Sequence, residues 1–137
     1  LKTCSSFPST ISGNCLMPMG WELELKNDMF RLTHKTKQLC IEESLKNKLR
    51  VYKHTGYYLL ERVESGYSEI ILITVNNSGS IDLFLPPQDI VPALKNCCIY
   101  ETHASDNDAT VLIANNDLLS SLIRNGFFSQ SLHLKRV

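Results

Sequence analysis

The sequence predicts a mainly β domain with two helices, of the β-barrel class. Three observations predict it. Apolar and polar residues alternate over short runs such as "GWELEL" and "MFRLTH", which is the period of a half-buried strand. Turn signals such as "ND" and "NNSG" separate these runs at short intervals. Helical spacing occurs in two places only, one long stretch after His34 and one short stretch near the end.

Residues 1–20 read as loop, rich in Ser, Pro and Gly. In "GWELEL", Trp21, Leu23 and Leu25 alternate with Glu22 and Glu24. Asn27-Asp28 turns the chain, and "MFRLTH" returns it with Phe30 and Leu32 on one face. Ile41, Leu45, Leu49 and Tyr52 then recur at helical spacing, and Glu42 precedes Lys46 by four residues. This predicts a long helix over 36–54, capped by Thr36 and stopped before Thr55-Gly56. "GYYLLERVES", "YSEIILITV" and "SIDLFL" read as a meander, the last two joined by "NNSG". Pro86 and Pro87 end its ladder because proline has no N–H to donate. "DIVPALKN" and "CCIYETH" read as one bent or two short strands, and "ATVLIA" as another. Asn116 or Asp117 caps a short helix with Leu118, Leu119, Leu122 and Ile123 on its apolar face, and Gly126 ends it. "SLHLKRV" adds a candidate last strand. The first two strands and the last strand and helix each need cover. The economical arrangement packs both chain ends into one OB-like barrel, with the meander inserted between them as a second barrel.

The 137 residues match one domain, and 43% hydrophobic with 20% charged residues suits a packed core. Fourteen basic and fourteen acidic residues cancel, which argues against a broad grip on nucleic acid. No apolar run approaches bilayer length, and the first twenty residues lack the apolar core of a signal peptide. A chain opening on Leu1 has the look of a piece of something longer. The five cysteines are odd in number and form no C-x-x-C, so free thiols, no metal and a cytoplasmic location are expected. The four histidines show no metal spacing, and no nucleophile elbow or phosphate loop occurs. No enzyme activity and no cofactor are expected.

Three stretches carry a family resemblance. "ESGYSEIILITV" resembles an acidic-Gly-x-aromatic turn leading into a strand, with Tyr67 in the aromatic place. "SIDLFLPPQDIVPAL" is similar to a strand, turn and strand that in the family carry an Asp-Tyr-Gly-Asn turn. "TVLIANNDLLSSLIRNGFF" resembles the closing strand and helix. Together they resemble the extended Tudor domain of germline piRNA-pathway proteins, in which a Tudor barrel is inserted into a staphylococcal-nuclease-like OB fold and one helix bridges the two. The resemblance implies an SN-like/OB part over 1–35 and 96–137, a linker helix over 36–54 and a Tudor barrel over 55–95. It also implies a peptide-binding scaffold that recognises an arginine-rich tail of a Piwi-clade Argonaute, in transposon silencing at a perinuclear germ granule (nuage). In place of the Asp-Tyr-Gly-Asn turn stands Leu85-Pro86-Pro87-Gln88, so the aromatic cage is depleted.

The candidate peptide-binding residues are Tyr67, Phe84, Tyr58, Glu61, Glu69, Asp82, Gln88 and Asp89. Rings attract a guanidinium by cation–π contact. The carboxylates concentrate around 55–95, where Arg62 is the one cation between Gly56 and Lys95. Carboxylates bond best to an unmethylated guanidinium, whose five donors are all free. Binding independent of arginine methylation is therefore expected. The alternative is an OB-type domain, structural or binding single-stranded RNA, which would want aromatics interleaved with Lys and Arg. The basic residues Lys46, Lys48, Arg50, Lys53, Lys135 and Arg136 lie apart from the candidate rings.

Overall fold

Antiparallel hairpins account for most of the chain, because its turns hold residues that accept the required backbone. The computed structural model describes residues 2–64, 67–85, 100–102, 109–111, 116–128 and 130–137. Its strands are β1 (Lys2–Cys4), β2 (Gly13–Leu16), β3 (Trp21–Lys26), β4 (Met29–His34), β5 (Leu39–Ser44) and β6 (Leu49–His54). They continue as β7 (Tyr57–Glu64), β8 (Tyr67–Val75), β9 (Ile81–Leu85), β10 (Tyr100–Thr102), β11 (Ala109–Val111) and β12 (Gln130–Arg136). One α-helix, α1 (Asn116–Arg124), and a 3₁₀ turn at Pro18–Gly20 complete the described elements. The fold is mainly β, as the sequence predicts.

Ten strands form one curled antiparallel sheet in the order β1-β6-β7-β8-β9-β12-β2-β3-β4-β5, and β10 pairs with β11 separately. Two consecutive meanders, β2–β5 and β6–β9, are joined side by side through β12. That strand pairs with β9 from Gln130↔Leu85 to Leu134↔Ile81, then with β2 at Lys135↔Leu16 and Arg136↔Cys15.

The long helix expected over 36–54 is not formed; β5 and β6 occupy that stretch, joined by a turn at 45–48. The physical reason lies in the turns and the burial. Gln38 adopts φ 52°, which places a tight turn where a helix would need about −60°, while Thr55 and Gly56, at 29° and 48°, turn the chain after β6 as expected. Leu49 and Val51 are buried on alternate positions while Ile41 stays exposed, so the period is two and not 3.6. Glu42 bonds across the sheet to Arg31 at 3.1 Å, and Lys46 reaches Asp28 at 3.8 Å, in place of each other. Thr36 caps nothing; its N–H and that of Lys37 are taken by His34 Nδ1 at 3.3 and 3.2 Å.

The predicted turn at "NNSG" closes with Gly79 N–H donating to the Asn76 carbonyl at 2.9 Å and Asn76 N–H to that of Ser80 at 2.8 Å. Helix α1 ends as "IRNGFF" suggests. Gly126 takes φ 73°, its N–H donates to the Ile123 carbonyl at 3.2 Å, and Phe127 N–H reaches the Leu122 carbonyl at 3.1 Å. This is the double-bonded Schellman closure, with Phe127 packing beside Leu122.

Two apolar clusters lie on opposite faces of the sheet. The first fills the curl and draws on both meanders, with Ile11, Cys15, Leu25, Val51, Ile73, Ile81 and Leu134 each at most 1% exposed. The second lies between the β7–β8 face and α1, and comprises Leu59, Leu72, Leu119, Leu122, Phe127 and Phe128. Phe30 packs against the first cluster and Leu122 belongs to the second, so these two do not share a core. Strand pairing between β12 and β2 brings the two ends of the chain together. No described helix is long and apolar enough to cross a membrane.

Cys15 sits in the first cluster, and burial pushes its thiol pKa up from 9.0, partly offset by the Arg136 guanidinium. A thiol pKa raised by folding means that the unfolded chain sheds its proton first. Stability should therefore hold up to about pH 9 and fall as pH rises beyond it. The Tyr52 hydroxyl, raised chiefly by burial, adds a similar fall further up. Urea midpoints measured from pH 7 to 11 should show this decline. Cys15→Ala should flatten it by up to about 1.4 kcal/mol per pH unit. A slope identical in the variant would refute the assignment.

Candidate functional site

Register places side chains in rows across the outer face of β6–β9 and β12, the face that carries α1. One row runs His54, Tyr57, Thr74, Asp82, His133. The next runs Tyr52, Leu59, Leu72, Phe84, Ser131. A third begins Arg50, Glu61, Ile70. Leu59 and Leu72 disappear under α1, and Tyr52, Tyr57, Ile70 and Phe84 pack partly buried against the same cluster. His54 Nε2 lies 2.8 Å from Ser120 Oγ and fastens the helix to the first row.

At the β9–β12 end of these rows, Asp82 Oδ1 lies 2.6 Å from His133 Nδ1. Their side chains are 24% and 56% exposed. Phe84 is half-buried in the adjacent row. A carboxylate has about four lone-pair sites, so one imidazole leaves Asp82 with acceptor capacity toward solvent. An acceptor beside a half-buried aromatic ring suits a planar cation better than an anion.

The structure separates the residues picked from sequence. Phe84, Asp82 and Glu61 share the outer face. Glu61 is engaged there, accepting from the Tyr52 hydroxyl at 3.2 Å with Arg50 at 3.8 Å. Tyr58 faces the first cluster, is 8% exposed, and its hydroxyl lies 2.9 Å from Thr10 Oγ1. Its neighbour Tyr57 stands on the Phe84 face instead. Glu69 pairs across β7–β8 with Arg62 at 3.2 Å, and Arg62 also meets Glu43 at 3.6 Å. Tyr67 opens β8 opposite Glu64. Gln88 and Asp89 lie outside the described residues, as do Pro86, Pro87, "DIVPALKN" and the segment's two adjacent cysteines.

Sequence reasoning left one of Tyr57 and Tyr58 to the site and picked Tyr58, and it missed Thr74 and His133. For His133 the signal was present: Leu132 and Leu134 flank it, both pack inward, and alternation turns His133 out. For Tyr57 against Tyr58 there was none, because Leu59 and Leu60 make both faces of β7 apolar.

Among the described residues no group of three His, Cys, Asp or Glu side chains could hold a metal. Cys4, Cys15 and Cys40 are free thiols. Compared with known proteins, the chain matches no family model, no curated protein and no solved structure.

Proposed function

We propose that the chain is a peptide-binding scaffold module of the extended Tudor type, with 55–95 as its Tudor-like part. It takes an arginine-rich tail of a Piwi-clade Argonaute and does so without requiring arginine methylation. The observation that carries this reading is the grouping of half-buried Asp82 and Thr74 with exposed His133 in one row beside half-buried Phe84. A guanidinium laid there stacks against Phe84 and donates to the Asp82 carboxylate. One ring and no full cage gives little for methyl groups to gain, while a carboxylate loses when methylation removes a donor. The module is not an enzyme and uses no cofactor. Its place is the cytoplasm, at the perinuclear granules where piRNA-guided transposon silencing is organised.

Calorimetric titration with one Argonaute-tail peptide, unmodified and symmetrically dimethylated, tests the reading. The unmodified form should bind at least as tightly. A charge-assisted bond is worth about 1.5–3 kcal/mol, so Asp82→Asn should weaken the unmodified peptide about tenfold or more. Clearly tighter binding of the dimethylated form, or no binding of either, would sink it. Single-stranded RNA at low salt serves as the competing ligand, and retention on a filter with no peptide binding would favour the nucleic-acid class.

A further inference from the structure

We infer that β5 is a docking edge for a second copy of this chain, paired antiparallel with its own counterpart about Cys40. Strand β5 ends the ten-stranded order, with β4 on one side and no described strand on the other. An open strand edge presents unpaired backbone donors and acceptors, and proteins blunt such edges with charge, proline or a bulge. In β5 the first half of the edge, Leu39-Cys40-Ile41, carries no such device, and charge begins only at Glu42.

The side chains point the same way. Leu39 stands opposite buried His34, and Ile41 opposite half-buried Leu32, so both continue the core-facing stripe of β4. Yet they are 51% and 45% exposed. The apolar stripe therefore runs out to the last strand and stops in water. A further strand would continue it.

The charge order selects the occupant. Lys35 and Lys37 precede the apolar triplet, and Glu42 and Glu43 follow it. A segment ordered basic, apolar, acidic is complementary to itself when reversed. Centred on Cys40, an antiparallel copy sets Leu39 over Ile41 of the second copy and carries the Lys35–Lys37 turn past its glutamates. A parallel copy would set like charge on like. Glu42 has Arg31 at 3.1 Å but keeps half its side chain exposed, so it can accept from a second cation. The two-fold arrangement doubles each contact, as isologous interfaces do.

The same geometry supplies the test. Residues directly opposite in an antiparallel pair have Cα atoms about 4.5–5.5 Å apart, within disulfide range. Cys40 is exposed, whereas Cys15 is buried. Diamide, which accepts the two thiol hydrogens as the S–S bond forms, should yield a Cys40–Cys40 linked dimer, identified by peptide mapping. Sedimentation over a concentration series should show the reversible dimer without oxidant. Cys40→Ser should abolish the crosslink and keep the reversible dimer. Ile41→Lys, at an exposed position that the fold tolerates, should weaken the dimer about tenfold or more and suppress the crosslink, with circular dichroism unchanged. A chain that stays monomeric at every concentration overturns the inference. So does a crosslink that forms equally well in Ile41→Lys, since that would report random thiol collisions.

Discussion

Replacing Phe127 with alanine is expected to lower the unfolding free energy by about 3–5 kcal/mol, the usual cost of emptying a buried aromatic site. Phe127 is 2% exposed and meets Phe128 edge-on, with ring centroids 5.1 Å apart at 89°. It also follows the glycine that closes α1, so the ring that fills the second cluster is also the one that locks the helix end. A nine-residue helix has too little length to persist alone. Its attachment rests on this cluster and on the His54–Ser120 bond. Urea denaturation read by far-ultraviolet circular dichroism measures the loss. Arg124→Ala, at an exposed position on the same helix, should shift stability by no more than about 0.5 kcal/mol. A cost below about 1 kcal/mol for Phe127→Ala would show that α1 does not bury this ring.

His34→Ala is expected to cost about 3 kcal/mol, from four hydrogen bonds, three of which share the Nδ1 lone pair, plus a ring contact, less relaxation. The ring is 7% exposed and stands edge-on to Trp21, with centroids 4.9 Å apart. Its tautomer follows from its partners. Nδ1 faces the N–H groups of Thr36 and Lys37, which can only donate, so Nδ1 accepts. Nε2 therefore carries the hydrogen and donates to the Met19 carbonyl at 2.9 Å. The imidazole thus fastens the β4–β5 turn to the 3₁₀ turn before β3. Gly20 completes the fit, because it holds φ 84° and a Cβ there would stand 3.4 Å from the ring. His34→Phe separates the contributions. It keeps the Trp21 contact and drops every hydrogen bond of the ring, so it should recover only the ring share, about 0.5–1.5 kcal/mol. Full recovery in the phenylalanine variant would show that the bonds contribute nothing.

Strands with one wet face were legible in the sequence, and strands placed by topology were not. β3 and β4 alternate plainly because one side of each faces the first cluster. β7, β8 and β9 were found from their β-branched content and the "NNSG" turn. β5 and β6 were read as helix because Ile41, Leu45, Leu49 and Tyr52 happen to fall three or four apart. Ile41 belongs to an exposed edge and Tyr52 to the outer cluster, so the four never share a face as a helix would require. An edge strand gives no burial pattern, and spacing alone misleads there. Of the residues picked from sequence, Phe84 and Asp82 do stand together on the outer face, but the carboxylate count overstated what is free. Glu61 has Arg50, and Glu69 has Arg62, each brought close by strand register that no linear charge pattern encodes.

The position of β12 has a consequence for how the chain is made. Leu132 and Leu134 pack into the first cluster, and Arg136 donates to the Ser12 and Thr10 carbonyls. The seam between the two meanders is therefore sewn by the segment that leaves the ribosome after both of them. Each meander emerges with a side meant for β12 still uncovered, and local hairpins form long before the seam can. Contacts spanning over a hundred residues close last and slowly, since their loop entropy is surrendered before any reward arrives. Until then the nascent chain carries bare strand edges on β9 and β2, and its window of vulnerability to stray pairing lasts as long as translation of everything in between.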